Sequence, residues 1–388
     1  MFAVPNQRML YQDMDSSFWQ TLPKPIVGLS PMDGVTDAAF RFISARHGHP
    51  DIHFTEFTHV EGICRGIPAV LRNLQYNKIE RPVVAQIFGH DPAAFYKAAH
   101  IISALQFDGI DINMGCPDRA IAAKGCGAAL IQQPKQAREI IRAAQDGARD
   151  FAKGIPLEKI GLPETTCHIV RQMVNEREAD DAYPRPLAGD VPLAGDVPLP
   201  VSVKTRLGYD RVVIEDWIRH LLEMAPVAIT IHGRTLKQGY RGDPDWEAIG
   251  RAAEIAHATP TLLLGNGNIL TPEDACHKIR QYGVDGVLIG RGAMGNPWFF
   301  LENDMIRSAC LSTSIPLPTV PEVSQQQRLQ VALEHAECFD RIRGTIPFPV
   351  MRKQLGWYSR GKEGGLRSAL VHVSTLAEVK QLLGAVHK

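Results

Sequence analysis

Residues 261–292 read TLLLGNGNILTPEDACHKIRQYGVDGVLIGRG. An apolar run, Thr261–Gly265, ends in Gly265-Asn266-Gly267-Asn268, and a second, Val284–Gly290, ends in Gly290-Arg291-Gly292. Between them residues 271–282 keep helical spacing, opened by Thr271-Pro272, a capping residue followed by a proline suited to the first helical position. Runs that are apolar throughout, rather than alternating, suit parallel strands covered by helices. The stretch therefore reads as strand–helix–strand. Moving towards the N-terminus, the same character returns at Val227–His232, Val201–Arg206, Gly109–Met114, Pro82–Phe88, Asp51–Phe57 and Pro25–Pro31. Helical spacing fills residues 92–105, 134–148, 214–224 and 246–256, and Asp91-Pro92 repeats the capped start. Eight strands alternating with helices predict an α/β fold, a (β/α)8 TIM barrel over residues 25–305. A doubly wound open sheet uses many of the same units and is the alternative.

Strand spacing breaks once, between Gly109–Met114 and Val201–Arg206. The excess defines an insertion at about residues 150–199, whose end, YPRPLAGDVPLAGDVPLP (183–200), carries a tandem PLAGDV. That stretch is too rich in Pro and Gly for a helix and reads as a loop on the N-terminal face, opposite the face where barrels keep their sites. Residues 1–24 form an N-terminal extension. Beyond Pro297, Ser308–Pro321 reads as a linker, followed by a small helical domain over 320–388 with helices expected at 322–343, 351–361 and 375–386.

Composition narrows the class. The 388 residues are 45% hydrophobic and 22% charged, which excludes wholesale disorder. The densest apolar run, Leu221–Ile231, is interrupted by Glu223 and Pro226, so no membrane association is expected. The N-terminus lacks a secretory pattern, and Asp13 and Asp15 argue against a transit peptide. Seven cysteines without a C-x-x-C pair suit a reducing, cytoplasmic compartment. Lys plus Arg and Asp plus Glu both number 42, so any nucleic-acid contact must come from a local patch. One candidate patch exists: Arg341, Arg343, Arg352, Lys353, Arg360, Lys362 and Arg367 cluster in the helical tail, although such a run is as often a solvated face.

The candidate site lies at the strand ends. Glycine turns after the seventh and eighth strands let backbone N–H groups approach a phosphate, and Arg291 adds a charged fork. Lys204 and Arg206 share one side of the fifth strand by its period of two, His232 ends the sixth, Gln86 lies near the end of the third and Asn113 near that of the fourth. A salt bridge from Lys204 to Asp111 is the structural alternative. Four convergent donors, Lys204, His232, Gln86 and Asn113, suit a polar heteroaromatic carrying a phosphate, a description that FMN fits. Cys116, held between Gly115 and Pro117 past the fourth strand, is placed to act on a ligand or is inert filling. No Cys/His set reaches four ligands at metal spacing, so no metal is expected.

Taken in order, these motifs resemble the tRNA-dihydrouridine synthases. The matching stretches are PMDGVTD (31–37), AQIFG (85–89), GIDINMGCP (109–117), KGCGAALI (124–131), VKTRLGYD (203–210), IHGRT (231–235), GNGNI (265–269), IGRGAMGNPWFF (289–300) and, in the tail, MRKQLGWY (351–358). The resemblance implies an FMN barrel that reduces the 5,6 double bond of uridine in tRNA with NADPH (or NADH). It makes Cys116 the general acid. It assigns FMN contacts to Pro31, Met32, Asp33, Gln86, Lys204 and His232, and phosphate contacts to Asn266, Gly267, Asn268, Gly290 and Arg291. Asn113 and Arg206 would face the uracil or flavin edge, and Arg352 and Lys353 would grip tRNA phosphates. Two departures stand out: relatives usually carry an acidic residue where Asn268 stands, and Gly or Ala where Cys126 stands. A monomer is the expected state. The competing readings are an FMN barrel acting on a free pyrimidine, of the dihydroorotate or dihydropyrimidine dehydrogenase type, and a tRNA-binding protein without catalysis.

Overall fold

A computed structural model describes residues 17–179, 197–312, 314–319, 321–360 and 365–384. Eight parallel strands surround one axis: β1 (Ile26–Leu29), β2 (His53–Phe54), β3 (Val83–Phe88), β4 (Gly109–Met114), β5 (Val201–Arg206), β6 (Ala228–His232), β7 (Leu262–Asn266) and β8 (Gly286–Ile289). Each strand from β3 to β8 pairs with its successor, β8 pairs with β1, and β2 with β3. The seam between β1 and β2 is bridged by Leu29 N–H to Ile52 C=O at 3.0 Å and Asp51 N–H to Val27 C=O at 3.1 Å. The (β/α)8 barrel is therefore present, and the open-sheet alternative is excluded.

The second strand is shorter than Asp51–Phe57. Pairing stops at Phe54 and resumes at Thr58–His59, which pair with the end of β3. In between, the Thr55 hydroxyl takes the Gln86 N–H at 3.0 Å and the Glu56 carboxylate takes the Gly34 N–H at 2.5 Å. Side chains thus replace ladder bonds across this stretch.

Alternation along the strands builds a barrel with two ends of opposite character. The inward series begins apolar, with Ile26, Phe54, Val84, Ala228, Leu262, Leu264 and Leu288 packed with Phe18 and Trp19 of a helical turn at Phe18–Thr21. This turn, in the expected N-terminal extension, closes the lower end. The same series turns polar at the C-terminal ends, at Gln86, Asn113, Lys204, Arg206, His232 and Asn266. The outward series, including Val27, Leu29, Ile87, Ile112, Val203 and Ile231, packs under the helices.

Two connections differ from expectation. The helix Asn303–Leu311 runs into the segment read as a linker, which therefore begins at Ser312. Ile306 and Ala309 bury that helix, Cys310 reaches Cys276, and Arg280 donates to Ser312 C=O at 2.8 Å, so packing on the helix Pro272–Tyr282 carries it past Ser308. Within the insertion, Glu164–Ala179 is helical: Cys167 and Val170 are buried and the Arg177 guanidinium lies 3.8 Å over the Tyr76 ring. The first PLAGDV and nearly all of the second lie outside the described residues.

The tail helices Gln325–Ile342, Arg352–Tyr358, Leu366–Leu370 and Leu376–Gly384 share a core that includes Leu329, Ala332, Phe339, Met351, Leu355, Leu370 and Leu383. That core is continuous with Ala39, Phe42 and Ile43 of the barrel helix Ala38–His47, and Glu334 ion-pairs Arg46 and His47 at 2.8 Å each. The tail is seated on the barrel.

Candidate active site

The polar strand ends open into a cavity of about 920 Å³. Its walls include every residue expected at the cofactor: Pro31, Met32, Asp33, Gln86, Lys204, His232, Asn266, Gly267, Asn268, Gly290 and Arg291. Asn113, Cys116 and Arg206 line it as well.

Lys204 does not pair with Asp111. Its Nζ reaches only Asn266 Oδ1, at 3.3 Å, among the described residues. Asp111 is occupied instead by Gln86 Nε2 and Ser202 Oγ, each at 2.7 Å. Burial, then the neighbouring Arg206 charge, lowers the Lys204 amine to about 8, against the partial support of Asp111. His232 is held well below the usual histidine range by burial and then by Arg206, Lys204, Arg234 and Arg291, so it is neutral at pH 7. Its Nδ1 is buried with no hydrogen-bond partner among the described residues. A buried polar atom left bare costs about 1–3 kcal/mol, so such a group points to a ligand.

Directly after Asn266, on the strand next to His232, the backbone opens. Gly267 adopts φ +138°, which a side chain rarely tolerates, and an added Cβ would meet Pro244 at 2.9 Å. Asn268, at φ +50°, accepts from Arg234 Nη2 at 3.0 Å and from Arg291 Nη2, and donates to Asp243 at 3.3 Å. Asn268 thus gathers two guanidinium groups beside two glycine turns.

Cys116 is 8% exposed. Its backbone N–H and that of Gly115 donate to Asn113 Oδ1 at 2.8 and 3.0 Å, which fixes the turn carrying the thiol. Burial is the main cause raising the Cys116 thiol above its ordinary range, so it is protonated at neutral pH. Cys126 is also buried, but it contacts the Lys124 carbonyl at 3.6 Å and does not line the cavity. Arg206 spends its guanidinium on the backbone, donating to Gly115 C=O at 2.6 Å, Thr235 C=O at 3.1 Å and Gly239 C=O at 3.0 Å.

Other residues line the cavity that the sequence had not marked as candidates, Arg234 and Tyr240 among them. Arg234, two residues past His232, is 2% exposed and ties Gly242 to Asn268. Tyr240, 74% exposed, lies with its ring 6.5 Å from that of His232 and 5.9 Å from the Arg206 guanidinium. The signals were an arginine in IHGRT and an aromatic in a glycine-flanked loop. In the tail, Arg352 donates to Val373 C=O at 2.7 Å, His372 C=O at 2.9 Å and Ser374 Oγ at 3.0 Å, and Lys353 reaches back to Gly34 C=O beside Asp33. Among the described residues no group of three metal-ligating side chains comes together, and no helix is long and apolar enough to cross a membrane.

The family model described as dihydrouridine synthase matches residues 28–156 and 192–388. A probable tRNA-dihydrouridine synthase of Staphylococcus aureus is 33% identical over 377 residues, 95% of each chain. A probable tRNA-dihydrouridine synthase 2 of Bacillus subtilis is 32% identical over 377 residues, 95% of this chain and 96% of that one. The chain belongs to the dihydrouridine synthase family. Membership makes it an oxidoreductase. Residues 157–191, including the helix on Tyr76, fall outside the match to the family model. Among solved structures, morphinone reductase in complex with tetrahydroNAD aligns with TM-score 0.41 at 10% identity over 74% of this chain and 88% of that one. A dihydroorotate dehydrogenase from Eimeria tenella aligns with TM-score 0.36 at 14% identity over 64% and 65%.

Proposed function

We propose that this enzyme reduces particular uridines of tRNA to 5,6-dihydrouridine, with FMN in the strand-end cavity and NADPH, or NADH, as reductant. The observation that carries the reading is the polar set at the strand ends: a bare His232 Nδ1 and a Lys204 held only by Asn266, beside the glycine turn at Gly267, with Gly290 on the next strand. A heteroaromatic ring bearing a phosphate satisfies both sets of groups. Gln86, Lys204 and His232 would hold the ring's polar edge, with Pro31, Met32 and Asp33 lining its wall. Asn266, Gly267, Asn268, Gly290 and Arg291 would hold the phosphate. When bound, FMN supplies hydride chemistry.

Cys116 supplies the matching proton. A hydride added at C6 of uracil leaves C5 to be protonated, and a thiol kept neutral by burial retains its proton at pH 7, where a carboxylate would usually be ionised. Hydride and proton together complete the reduction. Asn113 and Arg206 would face the uracil or flavin edge, Arg206 in an orientation set by its three carbonyl partners. The target base has to leave its stack to reach this depth, which requires grips on the surrounding phosphates. Arg352 and Lys353 would supply them in the tail. With equal numbers of acidic and basic residues, binding would be salt-sensitive. We place the reaction in the cytoplasm, with the protein acting as a monomer.

The test is substrate choice. Given NADPH, the enzyme should add two hydrogens to uridine in unmodified tRNA, read by nucleoside mass spectrometry, and leave free uracil and orotate unreduced. Turnover on a free pyrimidine with none on tRNA would replace this reading by that of a free-pyrimidine flavin barrel.

A further inference from the structure

Beneath the cavity runs a hydrogen-bond chain with one fixed polarity. Backbone N–H groups of Gly115 and Cys116 can only donate, so Asn113 must turn Oδ1 towards them. Its Nδ2 then faces Gln86, which must present Oε1, at 3.0 Å. Gln86 Nε2 is left facing Asp111, which must accept, at 2.7 Å. The second oxygen of Asp111 accepts from Ser202 Oγ, at 2.7 Å. With Asp111 ionised, the two ends of the chain demand the same orientation of both amides; burial raises the Asp111 carboxyl, and the Gln86 and Ser202 hydrogen bonds oppose that rise. Asp111 is wholly buried and does not itself line the cavity.

We propose that Asp111 is a positioning residue for Cys116: the acceptor oxygen it turns towards Gln86 holds the orientation of the Gln86 and Asn113 amides, and through them the turn that carries the thiol. The proposal rests on reading Cys116 as the proton donor. It also explains why a carboxylate is tolerated in the barrel interior without a salt bridge. Three hydrogen-bonded side chains share one constraint, and such a network has an energetic coupling that single contacts lack. The same orientation leaves each amide one N–H outside the chain, so Gln86 and Asn113 meet a ligand as donors.

Reversing the chain tests it. Asp111→Asn keeps an acceptor towards Gln86, and its new NH2 group can donate to Ser202, so the chain survives without the charge. Asn113→Asp sets a carboxylate oxygen against Gln86 Oε1, and turning Gln86 over sets the same clash against Asp111. The double variant Asp111→Asn/Asn113→Asp lets every link run in the opposite sense: the new amide donates to Gln86, and Gln86 donates to the new carboxylate, which still accepts from Gly115 and Cys116.

The readouts are Tm and the alkylation rate of Cys116 in the FMN-loaded enzyme, followed by peptide mass spectrometry with Cys126 as internal reference. Asp111→Asn should stay within about twofold of wild type, Asn113→Asp should change the rate by roughly tenfold and lower Tm, and the double variant should recover most of both, as expected for groups in one network. Should Asn113→Asp not fold, recovery of folded protein by adding Asp111→Asn supports the proposal equally. Losses that add in the double variant, or an Asp111→Asn as impaired as Asn113→Asp, overturn it and leave Asp111 as a counter-charge to Lys204. Full uridine reduction by Cys116→Ala would remove the proton-donor reading while leaving the rescue result intact, so the two failures are distinct.

Discussion

Lys204, at the end of β5, and Arg352, at the start of a tail helix, both sit among other basic residues, yet the structure gives them different company. Lys204 is half-buried, its charge costs free energy, and Asn266 alone accepts from it among the described residues. Arg352 already has three acceptors, which tie its helix to the segment 372–374. Arg343 is likewise engaged, with Asp340 at 2.7 Å and Ile346 C=O at 2.8 Å. A cluster of cations in a sequence therefore has two physical meanings. Where the fold leaves donors bare in a cavity, a ligand is the missing partner; where they hold carbonyls, they are part of the tail's own structure. Lys353 stands between these cases, since it belongs to the tail and touches the Gly34 carbonyl at the rim.

The largest effect expected from the strand-end region is at Cys116. Cys116→Ala should slow uridine reduction by ~10²–10⁴-fold, the usual worth of general acid catalysis, while FMN content and tRNA affinity stay near wild type. Cys126→Ala, off the cavity wall, should cost far less. Single-turnover rates on tRNA check both, and a dead Cys126 variant beside an active Cys116 variant would reverse the assignment.

Next comes the phosphate side. Arg291→Ala removes one of two guanidinium groups gathered by Asn268, and losing a charge-assisted hydrogen bond worth about 1.5–3 kcal/mol should weaken FMN by roughly 10–150-fold. Equilibrium titration with FMN measures it, and unchanged affinity would put the phosphate elsewhere.

The comparison itself is sharpest between neighbours in the tail. Arg352→Ala leaves Val373 and His372 carbonyls without their donor and should destabilise the protein by ~0.5–1.5 kcal/mol in denaturant unfolding. Lys353→Ala, and Arg352→Ala beyond its structural cost, should each make the slope of log tRNA affinity against log salt shallower by up to ~0.7–0.9, the share of one phosphate contact. If Arg352→Ala changes the salt slope and leaves stability untouched, its carbonyl contacts give way to phosphate when tRNA binds.

The smallest effect is a pH dependence. The Lys204 ammonium titrates at about 8, and the charged form exists below that value. A ligand bearing a phosphate and an electron-rich ring edge favours the ammonium, so FMN affinity should be full below pH 8 and decline as pH rises through it. Lys204→Met should abolish this decline.

Much of the barrel was readable because buried parallel strands are continuous apolar runs and their ends carry glycine turns. Cys116 and Arg291 could be singled out on that basis alone. The partners of Lys204 could not: Asp111 faces the same interior, and only the geometry shows Gln86 and Ser202 occupying both of its oxygens. The helix Glu164–Ala179 was hidden by the proline-rich stretch that follows it, and its burial against Tyr76 is a tertiary effect. Arg352 read as a free cation because its acceptors are backbone carbonyls twenty and more residues away, which leave no mark in composition.

The central claim is that the bare donors at the strand ends belong to a flavin, and the visible absorption spectrum of the purified protein, before and after adding FMN, tests it most directly. The account predicts a yellow protein with oxidised-flavin bands, or a colourless one that gains them stoichiometrically on titration, with His232→Ala and Arg291→Ala each weakening the binding. A wild-type protein that stays colourless and leaves added FMN free in solution would contradict it.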